Sequence, residues 1–79
     1  MKKLQECRLK KGYSQSTLAA VSGVPLYLVK NYEQGIRNID GAKLDTLCSL
    51  ALALSVPIFD ILESPTLRVK MKAALKIDV

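Results

Sequence analysis

The sequence has no histidine, only four aromatic residues and only two cysteines among its 79 residues. Without histidine the chain lacks the one side chain whose unperturbed pKa lies near neutrality, and with it the commonest metal ligand. There is no glycine-rich phosphate loop, and the few carboxylates are scattered towards the ends of expected helices. Nucleophilic, acid–base and metal-assisted catalysis therefore have no constellation to act through. No enzyme, cofactor or metal site is expected. Cys7 and Cys48 occupy helical apolar positions outside any paired metal spacing and read as two buried thiols. The longest apolar stretch, around Leu50 to Phe59, contains Ser55 and Pro57, and it falls well short of the roughly 20 residues that a membrane span needs. Behind Met1-Lys2-Lys3, the residues Gln5, Glu6 and Arg8 interrupt the apolar segment of a secretory signal. These exclusions imply a cytoplasmic protein with no membrane partner.

Hydrophobic residues make up 49% of the chain and aromatics 5%, so Leu, Val, Ile and Ala must fill the core, as suits an all-α bundle. A chain this short forms one small domain and buries only about 60% of its unfolded surface, so it depends on tight helix packing. The formal charge is +5, which favours a polyanionic partner. Beyond Ser64, Arg68, Lys70, Lys72 and Lys76 face only Asp78, which makes the tail the more basic part.

The pattern from Ser14 to Gly35 carries most of the information. Ser14 can cap a short helix whose apolar face is Leu18, Ala19 and Val21. Ala19 and Ala20 are small enough for a second helix to cross closely, and Gly23 can take the positive φ of a sharp corner. Pro25 then pre-sets the backbone of a second helix, in which Val24, Leu28, Val29 and Tyr32 recur at helical spacing. Leu26, Tyr27, Lys30, Asn31 and Gln34 lie on or beside its other face. The whole reads as two helices around a glycine-centred turn.

Three further helices complete the expected bundle. The first spans about Lys2 to Lys11 and is ended by Gly12, with Leu4, Cys7, Arg8 and Lys11 on one face. After the loop from Gly35 to Ile39, Asp40 is expected to cap a fourth helix with Leu44, Leu47, Cys48, Ala51 and Leu54 inward. Pro57 opens a short last helix, Ile58 to about Glu63, whose Ile61 and Leu62 close the bundle. Ser64-Pro65 reads as a boundary, giving a domain over 1–63 and a basic tail over 64–79. In that tail Leu67, Val69 and Met71 alternate with cations as in a strand, while Leu67, Met71, Ala74 and Leu75 fit a helix equally well. A strand would need a second chain to pair with, which makes the tail a candidate for dimerisation, the alternative being a flexible basic extension.

These residues together resemble the Cro and phage-repressor type of helix-turn-helix regulator, the xenobiotic-response-element family. The resemblance covers Leu4 to Glu63. It rests on Leu4, Arg8, Gly12-Tyr13-Ser14-Gln15, Leu18-Ala19, Gly23-Val24, Val29, Tyr32-Glu33, Gly35 and Arg37, and continues through Leu47, Leu50-Ala51, Ala53-Leu54, Val56 and Ile61-Leu62. It implies a compact lambda repressor-like five-helix bundle that binds double-stranded DNA as a homodimer. In such proteins the second helix of the motif enters the major groove while the preceding helix crosses the backbone. By position, the base readers map onto Leu26, Tyr27, Lys30 and Asn31. Asn31 can pair bidentately with adenine, Lys30 can donate to guanine or phosphate, and Leu26 and Tyr27 can touch a thymine methyl. Phosphate contacts fall to Ser14 and Gln15 at the start of the second helix and to Gln34 and Arg37 beyond the third. The resemblance also implies an internal ion pair between Arg8 and Glu33.

The chain departs from the family pattern at Pro25 and Pro57, which stand where members usually place a Ser or Thr cap. Leu26 and Tyr27 are also less polar than usual reading residues, and an apolar pair on that face is equally what a protein-binding surface carries. Two functions follow. The first is a sequence-specific DNA-binding transcriptional regulator acting as a repressor. The alternative is an antitoxin-like module that holds a protein partner on the same fold.

Overall fold

The computed structural model describes residues 1–76 of the chain, and Asp78 of the tail charge lies outside the described residues. Five α-helices follow one another: α1 Lys3–Lys11, α2 Gln15–Ser22, α3 Leu26–Gln34, α4 Leu44–Leu54 and α5 Pro65–Leu75. Two short 3-10 turns, Ile39–Gly41 and Ile58–Ile61, are interposed before α4 and α5. The architecture is all-α, as expected, and no strand forms among the described residues.

Local chemistry explains the helix ends around the turn. The Ser14 hydroxyl accepts the N–H of Thr17 at 3.0 Å, which supplies a partner for one open donor of α2. Gly23 ends that helix at φ +76°, a left-handed conformation that costs a residue with a Cβ roughly 1–2 kcal/mol. The Ser22 hydroxyl then accepts the N–H of Val24 at 3.1 Å, and Val24 turns into the core. Pro25 precedes α3 with no side-chain cap, so the start of that helix is set by the proline φ of −55° alone.

α2 packs against both α3 and α4, and α1 lies against α3, α4 and the 58–61 turn. The completely buried centre is Leu4, Leu18, Val29, Leu50, Ile61 and Leu62. Each comes from a different element or turn except the last two, which places the core where the helices converge. On α4, Leu47, Leu50, Ala51 and Leu54 form the inward stripe, whereas Leu44 is 64% exposed, because the stripe starts one turn later. On α2 the inward stripe is Gln15, Leu18, Ala19 and Ser22. Val21, expected inward, falls roughly 100° from that stripe at 3.6 residues per turn and is exposed. Cys7 and Cys48 are free thiols and only half-buried, not the buried pair expected. Burial first, and Asp60 second, push the Cys7 thiol up from its ordinary value.

Asp40 does not cap α4. It sits in the 39–41 turn, which Asn38 caps by accepting the N–H of Asp40 at 3.0 Å. The Asp40 carboxylate instead accepts two successive backbone N–H groups from far along the chain, Glu63 at 2.8 Å and Ser64 at 3.0 Å. The expected fifth helix from Ile58 is a single 3-10 turn. The residues read as a boundary open another helix instead: the Ser64 hydroxyl accepts the N–H of Leu67 at 3.2 Å and Pro65 takes the first helical position of α5. Of the two readings of the tail, the helix is the one adopted over Pro65–Leu75. Leu67 and Met71 rest against the core, Arg68 donates to the Phe59 carbonyl at 2.9 Å, and the Lys72 ammonium lies 5.0 Å from the centre of the Phe59 ring.

Asp40 is therefore the tie between the loop behind α3 and the start of α5. Asp40→Ala removes both acceptors and is expected to lower stability by about 1.5–3 kcal/mol, the range for hydrogen bonds to a charged group. Urea unfolding checks this, and a loss no larger than that of an exposed alanine substitution would show that the tie contributes nothing.

Candidate nucleic-acid interface

The sequence of α3 divides the helix into two faces. Val29, Tyr32 and Glu33 are buried. Tyr27, Lys30 and Gln34 are exposed, while Leu26 and Asn31 lie half-buried at the margin. The four residues expected to read bases thus run along one accessible flank of α3. Tyr27 is the most forward of the apolar ones, at 59% exposed.

The orientation of that flank is set by a polar centre behind it. Arg8 of α1 meets Glu33 of α3 in a bidentate pair, Nε to Oε2 at 2.8 Å and Nη2 to Oε1 at 2.9 Å. The Arg8 Nη1 donates to the Tyr13 carbonyl at 2.9 Å in the loop that leads into α2. Both side chains are almost fully enclosed. The Glu33 hydrogen bond raises the Arg8 pKa against the opposing cost of burial, so the guanidinium stays charged. Glu33 Oε1 also accepts from Gln15 Nε2 at 3.1 Å. One carboxylate therefore touches side chains from α1 and α2 while belonging to α3.

This geometry refines the residues expected at the backbone. Gln15 stands at the first position of α2 with one amide hydrogen committed to Glu33, and its oxygen and second hydrogen have no partner among the described residues. The Ser14 hydroxyl is committed to the helix, accepting from the Thr17 N–H and donating to the Thr17 hydroxyl at 2.9 Å. Gln34 and Arg37 are exposed on either side of Gly35, which ends α3 at φ +78°. The backbone N–H groups of Ile36 and Arg37 both return to the Asn31 carbonyl, at 3.0 and 3.2 Å, so Arg37 is held against the end of α3.

Two cations and a tyrosine pair gather beside this flank. A groove of about 530 Å³ runs between α3 and the start of α4, with Tyr27, Tyr32, Arg37, Asn38, Lys43 and Thr46 among its walls. Lys43 and Asn38 are groove residues that the spacing does not pick out. The signal for Lys43 was its place immediately before the open N-terminus of α4, where cation and helix end together favour an anion. No group of His, Cys, Asp and Glu able to hold a metal ion occurs among the described residues, and no described helix is long and apolar enough to cross a membrane.

Two short helices crossing at a glycine turn, with the second presenting an accessible flank of mixed polarity beside a groove that carries Arg37 and Lys43, define a helix-turn-helix protein. A family model described as Helix-turn-helix matches residues 4–61. The chain belongs to that family, the Cro/C1-type helix-turn-helix DNA-binding regulators. Neither a curated protein nor a solved structure matches it.

The Arg8 and Glu33 pair gives a sharp test of this construction. Arg8→Ala strands a buried carboxylate and is expected to cost about 3–5 kcal/mol in urea unfolding, with most of the loss recovered in the apolar double variant Arg8→Met/Glu33→Leu. A loss under about 1 kcal/mol for Arg8→Ala would mean that the pair behaves like a solvated surface contact.

Proposed function

We propose that this chain is a sequence-specific transcriptional regulator in the cytoplasm that reads the major groove with α3 and represses by occupying its site. The observation that carries the reading is the accessible flank of α3, Leu26, Tyr27, Lys30 and Asn31, held in one orientation by the buried Arg8 and Glu33 pair. Lys30 and Asn31 supply the hydrogen-bond readout, and Leu26 and Tyr27 supply contacts to thymine methyl groups. Ser14, Gln15, Gln34 and Arg37 hold the phosphates on either side and fix the register. Ser14 contributes through the helix terminus that it caps, since its own hydroxyl is engaged with Thr17.

The domain over 1–63 carries this binding, and the segment 64–79 carries self-association into a homodimer. Val69 and Leu75 of α5 are 67% and 69% exposed, which leaves apolar surface outward on the tail helix. A two-fold dimer presents two copies of α3 to half-sites about one helical turn, ~34 Å, apart, so the operator is palindromic. Repression follows because a protein seated across the groove excludes others from the same stretch of duplex.

Selection of bound sequences from a random duplex pool at physiological salt tests the proposal. A palindromic motif with fixed half-site spacing is the expected result. No enrichment, with only salt-sensitive bulk binding, would remove α3 as a reader and favour the second reading, an antitoxin-like module whose exposed Tyr27 and Leu26 meet a protein partner. Among variants, Asn31→Ala is expected to relax preference at particular base pairs by about 1–3 kcal/mol, while Arg37→Ala weakens binding to all sequences alike. Competition binding against single-base variants of the selected site distinguishes the two patterns.

A further inference from the structure

The turn that ends α3 receives a side chain from the start of α1. Gly35 occupies the left-handed region at φ +78°, and a Cβ built there would lie 3.4 Å from Lys2 Cε and 3.5 Å from Lys2 Nζ. The ammonium of Lys2 thus stands over the bend that carries Gln34 and Arg37. It makes no hydrogen bond and no ion pair among the described residues. Its neighbour Lys3 differs, with its ammonium 3.7 Å from the Glu6 carboxylate. The only acid in this bend, Glu33, is already consumed by Arg8 and Gln15.

The Lys2 backbone is held although its tip is free. Its carbonyl accepts the N–H of Glu6 at 3.0 Å, and the following N–H, that of Lys3, donates to Glu63 Oε2. Glu63 is in turn fixed through its own N–H by Asp40. The start of α1 is thereby tied to the same loop that leads away from α3. An ammonium with no partner among the described residues, on a fixed backbone and over Gly35, is suited to an anion brought to that bend from outside.

We infer that Lys2 is a further DNA phosphate-binding residue, delivered by the N-terminus of α1 to the end of the reading helix. The assignment rests on the DNA-binding reading above and adds to it a contact from outside the two-helix motif. Gly35 is required by the positive φ of the turn, and the Lys2 stem passes it at ordinary van der Waals distance. Lys2 adds affinity without adding sequence preference, since a phosphate contact carries no base information.

The salt dependence of binding to a mixed-sequence duplex, followed by fluorescence anisotropy between about 50 and 200 mM salt, tests this directly. In Lys2→Gln the slope of log affinity against log salt is expected to become shallower by about 0.9, and Lys2→Arg is expected to keep the slope of the unaltered chain. Lys11→Gln, at the far end of α1, controls for net charge. An unchanged slope in Lys2→Gln, or an equal change in Lys11→Gln, overturns the assignment while leaving the proposed function standing. Absence of salt-dependent binding by the unaltered chain overturns both.

Discussion

The buried contact between Arg8 and Glu33 is the constraint on which the rest of the molecule depends. Two charges enclosed in a small core are tolerated only when their hydrogen-bonding capacity is met, and here the Tyr13 carbonyl and the Gln15 amide supply what the pair itself does not. The consequence is directional. Apolar packing of Leu18 and Val29 would hold α2 and α3 together over a range of angles, whereas a bidentate pair fixes the rotation of α3 about its own axis. The pair also withdraws the acid of α3 from the surface, so that the accessible flank carries Lys30 and borders Arg37 and Lys43 with no carboxylate of its own helix exposed.

A second set of ties holds the periphery to this centre. Asp40 gathers the N–H groups of Glu63 and Ser64, and Glu63 gathers the N–H of Lys3. Through these two carboxylates the loop after α3, the start of α5 and the start of α1 meet at one place. A bundle of this size has little apolar area to spend, so short polar links between segments distant in sequence do part of what a larger core would do elsewhere. They join the start of α5 to the loop after α3 by hydrogen bonds, beside the packing of Leu67 and Met71 against the core.

Much of this was legible in the sequence, and the misses have physical causes. Ser14, Gly23 and Gly35 are local signals whose geometry is decided within a few residues, and each stands where the sequence placed it. The stripe of Leu47, Leu50, Ala51 and Leu54 follows from periodicity alone. Periodicity does not say where along a helix the partner begins, which is why Leu44 was expected inward and stands in solvent. Val21 was assigned by composition to a face that Gln15 and Ser22 share instead. Asp40 looked like a cap because caps are local, whereas its real partners lie 23 and 24 residues away. The segment beyond Ser64 and Pro65 admits a strand and a helix alike from its spacing, and the Ser64 cap with the packing of Leu67 and Met71 selects the helix. Of the candidate interface, the flank of α3 was readable from spacing. The commitment of Gln15 to Glu33, and the arrival of Lys2 at Gly35, depend on tertiary approach and left no signal in the spacing.

The flank of α3, held by the ion pair behind it, is proposed as the surface that meets duplex DNA. Titration of the isotopically labelled chain with a duplex, followed through its backbone amide resonances, tests that claim most directly. The largest shifts are expected on Leu26 to Asn31, on the start of α2 around Gln15 and on the bend from Gln34 to Arg37, with the buried core unchanged. Shifts confined to α5, or to the exposed face of α4 around Leu52, would place the interface elsewhere and contradict that claim.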